Sequence, residues 1–192
     1  MTREAQRRLT YTVELPGGQV RLREMILYVC RAAEEMPRFG KTKLNKILWK
    51  ADFSAFAARG MPVTGRPYQR LQAGPAPVEM VFVLEEMIER GQLEIQPVTL
   101  GPHTEQRVCA LEKPSLHFFS SDDLEYVDRA VKEYWELSAR ETSDDSHGVA
   151  WKTRDNLDPM PYETALLSDE ELAGSRLTRL KELASELGWK SQ

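Results

Sequence analysis

A chain of 192 residues has room for one well-filled core, or one core with an appendage, and 41% hydrophobic with 29% charged residues excludes a disordered or fibrous chain. A formal net charge of −4 supplies no global attraction to nucleic acid. No apolar run follows the basic residues near Met1, so a cytoplasmic protein without signal peptide or membrane anchor is expected.

Residues 9–15 alternate in the manner of a short strand, and Pro16, Gly17 and Gly18 break it. A helix is then predicted from about Val20. Its core stripe is Leu22, Met25, Ile26, Val29, Ala33 and Met36, with Pro37 and Gly40 as its end. Cys30 borders the stripe. Cys30 and Cys109 form no Cys-x-x-Cys pair and stand among apolar neighbours, which predicts buried free thiols rather than a disulfide or a metal site.

A second helix is predicted over residues 42–59, and it divides into three faces. Leu44, Ile47, Leu48, Ala51 and Ala55 form an aliphatic face that belongs in the core. Trp49, Phe53 and Phe56 lie roughly opposite, flanked by Asn45 and Asp52. Lys43, Lys46 and Lys50 line up between them at i, i+3, i+7. A helix apolar on two sides is ordinarily buried between neighbours. Aromatic side chains rimmed by lysines also suit a binding surface.

Gly60 to Gln72 reads as a turn-rich connection with a short extended piece around Tyr68. Gly74-Pro75-Ala76-Pro77 is expected to open a third helix, because a missing N–H costs nothing in a first helical turn. The same prolines exclude a phosphate cradle there. That helix has an apolar arc of Met80, Val81, Leu84, Met87 and Ile88. Glu79, Glu85, Glu86 and Glu89 lie on the other side, Phe82 stands among them, and Gly91 is the terminator. Residues 93–98 and 107–111 predict a β-hairpin around Gly101 and Pro102. Helix, helix and hairpin in this order resemble a winged helix, but the glutamates repel phosphates and disfavour a DNA-binding role.

Ser120 or Ser121 caps a long fourth helix with stripe Leu124, Val127, Ala130, Val131, Tyr134 and Trp135, and burial weakens at Ser138. A long polar connector follows, with Asp144, Asp145, Ser146, His147 and Trp151 in it. Ser146 is read as a local cap, His147 as hydrogen-bonded within the loop, and Trp151 as its packing neighbour. Ser168 with Glu171 reads as a capping box, and residues 175–189 as an amphipathic helix.

No chemistry emerges from these elements. Adjacent Asp145, Ser146 and His147 cannot present a nucleophile, base and acid in line, and no Gly-x-Ser-x-Gly elbow, Walker sequence or Gly-x-Gly-x-x-Gly occurs. His103, His117 and His147 match no zinc spacing. The expectation is no catalytic residue, no metal and no cofactor; catalytic carboxylates brought together only by folding leave no local pattern in a sequence.

Taken in order, Thr42-Lys43-Leu44-Asn45-Lys46-Ile47-Leu48, Ala51-Asp52-Phe53, Gly60-x-Pro62-x-Thr64-Gly65, Tyr68, Gly74-Pro75 and Ser146-His147 with Trp151 resemble the Panacea domain. This is the family of SocA-like antitoxins and phage-associated GepA-like proteins. The resemblance covers about residues 20–167, leaving 1–19 as an N-terminal segment and 168–192 as a C-terminal extension. Ala76 departs from the valine more usual after Gly-Pro. The resemblance implies a non-enzymatic antitoxin of a toxin–antitoxin system that neutralises a cognate toxin by direct binding. An adaptor delivering the toxin to a ClpXP-type protease is the alternative, and an unrecognised hydrolase or nucleotide-binding enzyme is a third. The expected fold is mainly α within α+β: a compact helical domain with a small β-hairpin and a C-terminal amphipathic helix. Partner contacts are expected at Lys43, Lys46, Trp49, Lys50, Phe53, Tyr68 and Phe82. A homo-oligomer is also allowed.

Overall fold

The computed structural model describes residues 9–100 and 103–167, a mixed α+β fold that is mainly helical. Two helices set its frame, α1 (Val20–Ala32) and α2 (Lys41–Arg59). The stripe expected on α1 is fully buried, including Ala33 and Met36, although the helix itself stops at Ala32. α2 begins after Gly40 in extended backbone and ends where Gly60, at φ 71°, takes the left-handed cap that a side chain resists. Its aliphatic face joins α1 and α4 (Ser121–Glu133) in one large core, with Leu44, Ile47, Leu48, Ala51 and Ala55 all buried.

The Gly-Pro segment departs from expectation. Gly74–Pro77 is a strand, β2, paired antiparallel with β1 (Tyr68–Leu71), so that Tyr68 faces Pro77 and Leu71 faces Gly74. Proline's fixed φ fits extended backbone as readily as a first helical turn, and a strand can place a residue without an N–H. β5 (Pro159–Met160) completes the sheet in the order β2-β1-β5. The third helix, α3 (Met80–Glu89), therefore starts after the prolines. It closes in a Schellman motif: Gln92 N–H donates to Met87 O and Gly91 N–H to Ile88 O, both at 2.9 Å, with Gly91 at φ 70°. The hairpin is longer than predicted, β3 (Leu93–Leu100) pairing with β4 (His103–Ala110) from Leu93↔Ala110 outward. The winged-helix order thus gains a separate small sheet between its second and third helices.

Ser120 is the cap of α4, in a full capping box with Asp123. Asp123 does more than cap, because its buried carboxylate also forms ion pairs with Arg21 of α1 and Arg59 of α2. Arg21 Nε donates to Val63 O at 2.8 Å, fixing the loop after α2 to the same point.

The expected polar connector is instead a chain of short ordered elements. α5 (Ala139–Asp145) is opened by a second capping box between Ser138 and Glu141, so the position where burial was expected to weaken is a helix start. α6 (Val149–Lys152), β5 and a 3-10 turn (Tyr162–Leu166) follow. Residues 9–15 form no ladder; isolated bonds tie them down, Val13 N–H to Gly65 O at 3.0 Å, Tyr162 N–H to Thr10 O at 2.8 Å and Thr10 N–H to Glu163 Oε2 at 2.9 Å. Both cysteines are free, Cys30 buried as expected but Cys109 only half-buried. No described helix is long and apolar enough to cross a membrane. The capping box at Ser168 and the helix over 175–189 lie outside the described residues.

A candidate partner-binding surface

The aromatic side of α2 is a second, smaller core. Phe53 packs edge-on to Tyr68 with ring centroids 5.2 Å apart and lies 5.0 Å from Tyr162, while Phe56 stacks on Tyr162 at 5.3 Å. Met160 and the half-buried Trp49 complete the cluster. Phe53 and Tyr68, expected at a partner surface, are therefore interior, at 4% and 1% exposure.

Asp52 organises this core from within. It is wholly buried, accepts from Thr64 N at 2.6 Å and Tyr68 OH at 2.9 Å, and is bound by the Thr64 hydroxyl as well. Burial pushes its carboxyl up to about 6, against the pull of these hydrogen bonds. The Gly60-to-Tyr68 loop is thereby fastened to α2.

The lysine row divides. Lys43 is buried and donates to Pro37 O at 2.9 Å and Trp135 O at 3.2 Å, and burial lowers it to about 8. Lys46 is also buried, donates to Pro75 O at 2.9 Å, and is lowered by burial to about 7. The long stems cross the interior and give their charges to backbone carbonyls, a use that helical spacing alone does not reveal. Lys50 reaches the surface, where Nζ meets Glu133 Oε1 at 2.7 Å and Asp145 Oδ2 at 3.4 Å. Burial works to lower its pKa, but the two carboxylates outweigh it and hold the ammonium above its ordinary value.

Trp49, Lys50 and Phe53 come together with Asp145, Ser146 and Met160 around a cleft of about 230 Å³. Tyr134 OH donates to Asp145 Oδ2 at 2.6 Å, so Asp145 links the far wall to α4. Trp49 Nε1 is buried without a hydrogen-bond partner among the described residues. Sequence spacing brings Trp49 and Lys50 together, but Glu133 and Asp145 come from remote helices and carry no signal that points to α2.

Beside the cleft, the expected His147–Trp151 pair is a stack with centroids 3.8 Å apart, and the Arg70 guanidinium lies 4.0 Å from the Trp151 ring. Trp151 Nε1 donates to Leu71 O at 2.8 Å. His147 Nε2, expected to be hydrogen-bonded, is buried with no partner among the described residues, and burial, aided by nearby Lys46, holds the ring below its usual pKa. Ser146 Oγ donates to Ser143 O at 2.7 Å. This bond aims the hydroxyl proton at a carbonyl.

Phe82 is 64% exposed on α3 and does not line the cleft. Val81 and Ile88, assigned to the core arc, are exposed beside it, and Val83 takes the interior place. Residues 80–84 are apolar without interruption, so periodicity could not fix which edge of the arc turns inward.

The family model for "Antitoxin SocA-like, Panacea domain" matches residues 44–152, which run from α2 through α6 and include every wall of this cleft before β5. No curated protein and no solved structure matches the chain.

Proposed function

We propose, because the chain belongs to the family of SocA-like antitoxins with a Panacea domain, that this protein neutralises a cognate protein toxin by binding it directly. The family match carries the reading, and the mixed aromatic and charged lining of the cleft beside α2 supports it. Trp49 offers aromatic area at low entropic cost, and Lys50 sits at the rim with its charge shared by Glu133 and Asp145. Phe53 supports the floor, while Lys43, Lys46 and Tyr68 act from behind by holding the elements in register. The functional unit on this reading is residues 20–167, in the cytoplasm, with 1–19 and 168–192 as extensions.

Co-expression with the product of the neighbouring gene tests the proposal. The two proteins are expected to co-purify and growth to be restored, with Trp49→Ala and Lys50→Gln each weakening the complex about tenfold or more in variants that circular dichroism shows to be folded. Undiminished binding in both variants removes this cleft. Toxin that disappears only when a ClpXP-type protease is present, without a stable complex, replaces neutralisation by binding with delivery for degradation.

A further inference from the structure

α3 carries two apolar stripes. Met80, Val83, Leu84 and Met87 enter the core. Val81, Phe82 and Ile88 remain 69%, 64% and 37% exposed, as does Val78, just before the helix, at 48%. Single exposed apolar side chains are ordinary, but several that border one groove are what a partner covers. Val78, Val81 and Ile88 form a row lining a groove of about 120 Å³ whose floor is Leu71, Ala76 and Pro77 of the small sheet, and Phe82 lies outside it. Asn45 Oδ1 lines the same groove, buried and without a hydrogen-bond partner among the described residues.

The charges around the row choose the occupant. Glu79 is bound by Arg66 and Gln19, and Glu86 by Arg23 and Arg90. Glu85 and Glu89, one turn apart on the exposed side, have no ion pair among the described residues. Lys41 stands on the opposite wall, so an incoming cation is drawn over α3 rather than over α2.

We infer that this groove docks a basic amphipathic helix of a protein partner, with its apolar side chains between Val78, Val81, Ile88 and the sheet, its cations over Glu85 and, one turn on, Glu89, and a donor for Asn45 Oδ1. Identifying that partner with the toxin rests on the antitoxin reading above. The groove itself does not, because its chemistry is set by these residues.

Two labelled 14-residue peptides test it on the full chain by fluorescence anisotropy, one built from Leu and Lys and one with Glu at every Lys position. The Leu/Lys peptide is expected to bind about tenfold or more tightly than its counterpart. Val78→Asp with Val81→Asp should abolish that binding, and Glu85→Lys with Glu89→Lys should reverse the preference, all with wild-type circular dichroism because these side chains are exposed. Equal binding of the two peptides, or binding untouched by these variants, overturns the inference. So does sedimentation showing a wild-type dimer that Val81→Asp converts to monomer, since a second copy is then the occupant. Where the toxin co-purifies equally with wild type and the Val78/Val81 variant, the groove fails as the toxin site and the antitoxin reading stands. Absence of any co-purifying toxin removes the antitoxin reading alone, and the peptide comparison still decides the groove.

Discussion

On the side facing α1 and α4, α2 meets its neighbours through aliphatic side chains that repeat every turn. On the side facing the small sheet it meets them through rings at set angles and through a buried carboxylate with three donors. The first interior is held by shape and area, which tolerate exchange at constant volume. The second is held by direction, because each donor to Asp52 has one place to be. One helix thus joins a core that any suitable apolar set would fill to a core that specific partners must assemble.

Removing one large side chain from each interior is the strongest way to break that contrast. Phe53→Ala should cost about 4 kcal/mol and Leu48→Ala about 3 kcal/mol in urea unfolding. If the two interiors form one cooperative unit, tryptophan fluorescence and circular dichroism report coincident transitions in both variants. A split transition in Phe53→Ala alone would make the aromatic core a separate unit. Asp52→Ala should cost about 3 kcal/mol by stranding buried donors of Thr64 and Tyr68, whereas an aliphatic-type interior would lose only the small volume.

Gly74→Ala tests the seam between the two regions. Gly74 sits at φ 98°, and a Cβ there would lie 2.8 Å from Lys46 Nζ and press on Ser146 Oγ, so a loss of about 2 kcal/mol is expected. The smallest effect is a slope. Lys46 titrates at about 7 when folded against an ordinary 10.5, so the unfolded chain binds more protons between these values and stability rises with pH across that window. Lys46→Met should flatten the rise by up to about 1 kcal/mol per pH unit. For Asp52 the sign is opposite: its folded pKa of about 6 lies above the ordinary 3.8, so the folded state holds the proton longer and stability falls from pH 4 to 6. Asp52→Asn removes that fall. Urea unfolding across pH distinguishes the two.

The same contrast explains what the sequence made legible. The aliphatic face of α2 and the stripes of α1 and α4 are local, since each residue's place follows from helical period, and all were readable. The family motif was readable too, because its residues keep their order along the chain. The aromatic core was not: Tyr162 reaches Arg66 O across 96 residues, and β5 is too short to announce itself. Lys43 and Lys46 misled because a lysine whose charge ends on a buried carbonyl has the same spacing as one in solvent. Gly74–Pro77 misled because φ near −65° is shared by a helical first turn and a strand. On α3, an unbroken apolar run left the inward edge undefined, and that is where the structure exposes Val81 and Ile88.

The Asp123 carboxylate has a consequence for the order in which this protein opens. First turns of helices ordinarily fray, and their amides exchange with solvent long before the core does. Here the cap of α4 is also the meeting point of Arg21 and Arg59, so that turn is released only when α1 and α4 part from the end of α2. Its amide protons should therefore exchange with the slowest in the molecule, making a helix terminus a reporter of global unfolding.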